Sequence, residues 1–168
     1  MGLMTCDHEL SSRIKAFAPV AGALYWQFGG AKNCTPSRRH VPIMEFHGDQ
    51  DKTVRHYYLT FECRRLIVMQ INPYGGVGLG GKLPSISSWF ANKAALSGCH
   101  NSSTPEERQW LKGGDVIKDT WKCGQHKPLL VRFNETQMTH SWPGGPEQSG
   151  DDLVAATPNI LKFFDEWS

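Results

Sequence analysis

The chain has 168 residues, 39% hydrophobic and 20% charged, with a formal net charge of +2. That length fits one domain or most of one, and the composition is ordinary for a soluble globular chain. So small a charge argues against nucleic acid and anionic membrane surfaces as partners, and no apolar run approaches the roughly 18 residues of a membrane-spanning helix.

The N-terminus, MGLMTCDHEL, has no basic segment leading into an apolar one, so no signal peptide is visible there. Residues 7–14 (DHELSSRI) predict a short helix, with Asp7 as N-cap and Leu10 and Ile14 on one face. Residues 16–24 (AFAPVAGAL) have the short apolar run of a buried parallel strand. A polar loop at 34–40 leads to a second strand at 41–46 (VPIMEF), which ends at His47-Gly48-Asp49-Gln50-Asp51. Residues 54–70 (VRHYYLTFECRRLIVMQ) are rich in β-branched and aromatic side chains and read as one more strand, followed by a glycine-rich loop at 74–81.

Residues 85–96 (SISSWFANKAAL) predict a helix, with Ile86, Trp89 and Phe90 near one face and Gly98 past its end. Residues 129–133 (LLVRF) predict another strand, and His140 follows it. Residues 157–167 (TPNILKFFDEW) predict a closing helix, with Thr157 at the N-cap, Pro158 at N1 and Ile160, Leu161, Phe164 and Trp167 at helical spacing. Strands alternating with helices imply an α/β fold around a parallel sheet.

Two motifs carry chemistry. His47 to Asp51 has the pattern H-G-x-x-D, and His140-Ser141-Trp142-Pro143 has the pattern H-x-W-P. Each follows an apolar run, and open α/β sheets place their sites just past strand C-termini. An aspartate there can orient an imidazole and stabilise the imidazolium formed during proton transfer. Taken singly, Asp51 could be a turn aspartate and His140 a surface histidine beside a packed Trp142. Together, acid then base match the last two members of a nucleophile-acid-base order along the chain. No G-x-S-x-G occurs anywhere in the sequence, so the nucleophile is missing.

Gly76 to Gly81 matches G-x-G-x-x-G. A dinucleotide site needs that loop at a helix N-terminus and an acid roughly 20 residues on. The helix here starts only after Pro84, and no acid lies at 99–103, so a glycine loop is the better reading. The histidines are scattered without H-x-x-x-H, so neither a metal nor another cofactor is expected. Trp89 and Trp167 fit helix core faces, which leaves Trp142 as the tryptophan beside a site.

Five cysteines, at Cys6, Cys34, Cys63, Cys99 and Cys123, include no C-x-x-C and allow two disulfides with one thiol left over. Sequons at Asn33, Asn101 and Asn134 lean the same way, toward an extracellular protein. An extracellular body without an export signal is what a chain lacking its N-terminal portion would show.

The blocks TCDHELSSRIKAFAPVAGALY, CTPSR, VPIMEFHGDQDKT, LPSISSWFANKAALSGC, HSWPGG and ATPNILKFF occur in that order. They resemble the secreted fungal feruloyl esterases, in the polyhydroxybutyrate-depolymerase-like group of carbohydrate esterases. The resemblance covers nearly the whole chain except 54–70. It implies an α/β-hydrolase that uses a serine to cleave hydroxycinnamoyl esters, such as ferulate esters, of plant cell-wall xylan. Residues 1–168 would then be the C-terminal portion of one esterase domain, the second half of a mostly parallel sheet flanked by helices. Asp51 would be the triad acid, His140 the base and Trp142 a substrate-binding residue. The serine would fall just before Met1, in a missing N-terminal half. The resemblance also implies disulfides Cys6–Cys34 and Cys99–Cys123.

The chain departs from that family twice. Gln137-Met138-Thr139-His140 stands where the family has a G-x-G-H turn, which could displace the imidazole. Residues 54–70 interrupt a continuity that deletion would restore, and their ends can be encoded as a splice donor and acceptor. They are expected to be an insertion from a retained intron, an expectation that transcripts found only in unspliced form would sink. The alternative to an esterase is a non-catalytic pseudo-esterase that binds cell-wall saccharide or a protein partner. A third reading, nucleotide binding through the glycine motif, is the least supported.

Overall fold

The computed structural model describes residues 2–22, 34–51, 76–78, 81–145 and 154–168. The expected insertion at 54–70, with Cys63, lies outside the described residues. Helices α1 (Gly2–Cys6) and α2 (His8–Arg13) open the chain. Asp7 caps α2 as expected, its Oδ1 accepting the Leu10 N–H at 2.8 Å. The apolar run that follows lies beside strand β1 (Ile43–Gly48) in parallel bridges, Phe17 to Ile43 and Val20 to Phe46. Pro19 between them has no N–H to donate, so the predicted strand is a broken ladder rather than a continuous one.

Short strands β2 (Gly76–Gly78) and β3 (Gly81–Leu83) pair antiparallel and precede α3 (Ile86–Leu96). Strands β4 (Glu107–Leu111), β5 (Val116–Trp121) and β6 (Leu130–Glu135) follow, then α4 (Ala156–Trp167). The main sheet has the order β1-β6-β5-β4. Strand β1 runs parallel to β6, while β5 is antiparallel to both β6 and β4.

The expectation of a mostly parallel sheet flanked by helices is therefore wrong. Among the described residues the main sheet is small and mixed, with one parallel strand pair, and the helices are few. Connection length explains the difference. Residues 122–129 are too few for a parallel crossover, which takes roughly a dozen or more, so β6 must return antiparallel to β5. Strands β4 and β5 are joined by a turn at Lys112–Gly114, in which Gly113 takes φ of 70°. The sequence read as helices and strands in alternation misses this hairpin because β4 is exposed along nearly its whole length. An exposed strand offers no alternating apolar face to detect.

Alternation along β1 splits the core. Ile43 joins Ile86, Trp89, Phe90 and Ala94 of α3, with Trp121 and Leu130. Met44 and Phe46 join Val131 and Phe133 of β6 and Ala156, Ile160 and Phe163 of α4. Phe46 and Phe133 stack with centroids 4.3 Å apart, locking the two parallel strands together. Strand β1 is buried on both faces, and that burial encloses Glu45 and His47 as well.

Helix α3 is capped by Ser85, whose Oγ accepts the Ser88 N–H at 3.1 Å. Helix α4 departs from expectation at its start. The Ala156 N–H donates to the Pro143 carbonyl at 3.0 Å, so the helix begins before Thr157. Thr157 does not cap it; its Oγ1 accepts the Trp142 indole N–H at 3.0 Å. Among the described residues no helix is long and apolar enough to cross a membrane.

Candidate active site

The acid loop is built where β1 ends. Asp49 N–H donates to the Glu135 carbonyl at 3.0 Å, and Gln50 N–H to the Met138 carbonyl at 3.1 Å. Gly48 is the residue that permits this approach. A Cβ there would lie 2.0 Å from the Met138 carbonyl oxygen, so any side chain would force the two loops apart. The glycine of H-G-x-x-D is thus a packing requirement. Three residues on, Asp51 is 1% exposed.

The base arrives on the turn after β6. Gln137 N–H donates to Asp49 Oδ1 at 2.7 Å, stapling this turn to the acid loop. Gln137 has a φ of 63°, the left-handed region that favours glycine. Gln137 thus holds, without being glycine, a backbone conformation that glycine adopts most readily. Met138 fills the next position with a buried side chain. The imidazole is not displaced from its partner: His140 Nδ1 lies 3.0 Å from Asp51 Oδ2. A carboxylate only accepts, so the neutral ring carries its proton on Nδ1 and leaves Nε2 basic. The His140 side chain is 46% exposed while that of Asp51 is fully buried. A buried acid gripping a half-exposed imidazole is the arrangement that proton transfer to a bound group requires.

Behind Asp51 stand Glu45, which the sequence reading left inside an apolar strand, and His47, which it noted as the head of H-G-x-x-D without assigning it a role. His47 Nε2 is 3.4 Å from the same Asp51 oxygen, and His47 Nδ1 is 2.9 Å from Glu45 Oε1. Both are fully buried on β1. Burial alone pushes the His47 pKa down, but the Glu45 hydrogen bond and the charges of Glu45 and Asp51 outweigh it and hold it raised. Burial pushes Glu45 up, against the downward pull of its bond to His47 and the charges of His47 and Arg132. The cross-strand register extends this set. Glu45 lies opposite Arg132, Arg132 opposite Asp119, and Asp119 opposite Arg108. Arg132 Nη2 donates to Asp119 Oδ2, and Arg108 Nε donates to Asp119 Oδ1 at 2.6 Å. Charges thus alternate in sign across all four strands and end at His140. The signal was present in the sequence: Glu45 and His47 are two apart, as are Met44 and Phe46. Period-two alternation therefore puts the two polar groups on one face.

Other sequence-predicted residues fall as follows. Trp142 is 48% exposed near His140, its indole N–H held by Thr157. Cys6 pairs with Cys34 and Cys99 with Cys123, their Cα atoms 4.4 and 4.2 Å apart. Two disulfides suit an oxidising, extracellular environment. Of the G-x-G-x-x-G motif, Gly76 and Gly78 lie in β2 and Gly81 opens β3, while 79–80 and the start of the expected glycine loop at 74–75 lie outside the described residues. Among the described residues, Cys99, Glu106 and Cys123 bring their ligand atoms within 4.8 Å. Both sulfurs are bonded to each other, and Glu106 accepts the Cys123 N–H at 2.7 Å, so the group caps a loop.

Two buried charges lie outside the network. Lys93 Nζ is 2.7 Å from Cys6 Sγ and 3.2 Å from Thr5 Oγ1, and burial lowers its pKa to about 8. Among the described residues the Glu135 carboxylate oxygens have no hydrogen-bond partner of normal geometry; burial raises the pKa of Glu135 to about 7 against an opposing pull from the Val154 N–H.

No protein-family model matches the chain. Nor does any curated protein match it significantly.

Proposed function

We propose that this chain supplies the acid and base of a serine carboxylic ester hydrolase of the feruloyl esterase type, acting on hydroxycinnamoyl esters of cell-wall xylan. The observation that carries the proposal is the 3.0 Å contact between buried Asp51 and half-exposed His140. In this reading His140 Nε2 takes the proton from a serine hydroxyl as it attacks the ester carbonyl, then gives it to the departing sugar alcohol. Asp51 holds the tautomer and stabilises the imidazolium. The acyl-enzyme is cleared by water activated at the same nitrogen.

The serine comes from a segment outside these 168 residues, since no G-x-S-x-G lies within them. The ordered blocks shared with feruloyl esterases point to the substrate class, and Trp142 offers a ring face to an aromatic acyl group or a sugar. Secretion follows from the substrate, a cell-wall polymer, and agrees with the two disulfides.

Fusing the chain behind a serine-bearing N-terminal half of a feruloyl esterase tests this. The fusion is expected to hydrolyse methyl ferulate, with His140→Ala and Asp51→Asn each losing roughly 10⁴-fold in kcat. The chain alone is expected to be inactive. A folded fusion without hydrolysis would overturn the proposal. So would hydrolysis by the unfused chain that His140→Ala abolishes, because the nucleophile would then lie within it. If only xylan oligosaccharide binding survives, the pseudo-esterase alternative gains instead.

A further inference from the structure

We infer that Glu45 and His47 are positioning residues for the acid–base pair: the buried His47 ring, held between Glu45 and Asp51, keeps the Asp51 carboxylate aimed at His140 Nδ1. The inference rests on the acid–base assignment of Asp51 and His140 and adds to it a second, buried imidazole.

The geometry supports this step by step. A fully buried carboxylate is strongly disfavoured unless paired. His140 must be neutral whenever it acts as a base, and His47 Nε2 lies 3.4 Å from the same Asp51 oxygen that His140 engages, close enough to help fix that oxygen. That separation is an ion-pair distance rather than a hydrogen bond, so the stronger directional bond remains the one to His140 at 3.0 Å. His47 keeps its own proton because Glu45 Oε1 accepts it at 2.9 Å.

Glu45 is steadied in turn by Arg132, directly opposite on β6. Arg132 is anchored by Asp119 and by Ser87 Oγ at 2.5 Å. Among the described residues, the titratable groups facing His47 are Glu45 on its own strand, Asp51 and His140 on the two loops, and Arg132 on β6. Helix α3 contributes the uncharged Ser87 and Ile86 on that side. Glu135 points to the opposite face by strand alternation.

Histidine ¹⁵N NMR on the intact 168-residue chain tests the inference. In the wild type, His47 is expected to titrate above 6.5 and neutral His140 to show the Nδ1–H tautomer. Glu45→Gln should lower the His47 midpoint by roughly one unit or more. His47→Gln should convert a measurable fraction of neutral His140 to the Nε2–H tautomer, because Asp51 Oδ2 loses one of the groups that fix its position. Asp51→Asn is the reference and should abolish the Nδ1–H preference entirely. If Asp51→Asn does so and His47→Gln leaves the tautomer untouched, His47 is not a positioning residue and the acid–base pair stands without it. If Asp51→Asn also changes nothing, the pair itself is wrong and the inference falls with it. Should His47→Gln fail to fold, Glu45→Gln decides alone: an unmoved His47 midpoint overturns the inference.

Discussion

Asp51 and Glu135 are both buried carboxylates at the ends of the two parallel strands, and their surroundings are opposite. Asp51 lies between two imidazoles, backed by a row of charges alternating across the sheet. Glu135 faces the α4 side, where burial lifts its pKa to about 7 and, among the described residues, no cation contributes. Lys93 is the same case with the sign reversed, a buried amine at about 8 against a disulfide. Burial by itself therefore does not mark a site in this molecule. What marks it is burial with paired partners that lead to an exposed titratable group.

The largest effects should come from the groups without charged partners. Glu135 has a folded pKa above its unfolded 4.5, so the folded state binds the extra proton, and stability falls as pH rises from 4.5 to about 7. The rise from 4.5 to about 7, at roughly 1.36 kcal/mol per unit, corresponds to a loss of about 3 kcal/mol. Glu135→Gln should remove that slope and melt higher at pH 8, as chemical denaturation across pH would show. Lys93 is shifted from 10.5 down to about 8, so the folded state sheds its proton first and stability rises between about 8 and 10.5. Lys93→Met should flatten that alkaline limb, by about 3 kcal/mol across the window, and stabilise the protein at pH 7. If either variant is instead destabilised at pH 7, the contrast between partnered and unpartnered groups fails.

Two smaller changes probe the partnered side. Gly48→Ala puts a methyl 2.0 Å from the Met138 carbonyl and should cost about 2 kcal/mol in denaturant unfolding. It should also weaken the His140 contact, because the displaced Met138 carries that turn. Gln137→Gly relieves a left-handed φ of 63° and should stabilise by about 0.5–1 kcal/mol, the gain being trimmed by unfolded-chain entropy. A loss of stability on Gln137→Gly would mean that the Gln137 side chain holds the turn.

The same contrast explains what the sequence could reveal. Helix α2 with its Asp7 cap, helix α3 with its apolar face, and strands β1 and β6 were legible, because local capping and apolar patterning encode them. Strand direction was not, since it depends on which strands meet in space and how long the connections are. Strand β4 went unseen because it buries almost nothing. Asp51 and His140 were legible because their motifs sit past apolar runs. Glu45 was hidden inside such a run, where a polar residue looks like an interruption until its partners across the sheet are known, and without Glu45 the role of His47 at the head of H-G-x-x-D could not be read. Thr157 looked like a cap, but the Pro143 carbonyl started the helix earlier and freed its hydroxyl for Trp142.

The central claim is that a buried carboxylate grips a half-exposed imidazole through Nδ1. Proton NMR of the chain in water tests it most directly, through the low-field resonance of a strongly hydrogen-bonded ring N–H. The account predicts such a resonance, correlated to His140 Nδ1 and absent in Asp51→Asn. A His140 ring without it in the wild type, or with it unchanged in Asp51→Asn, would contradict the account.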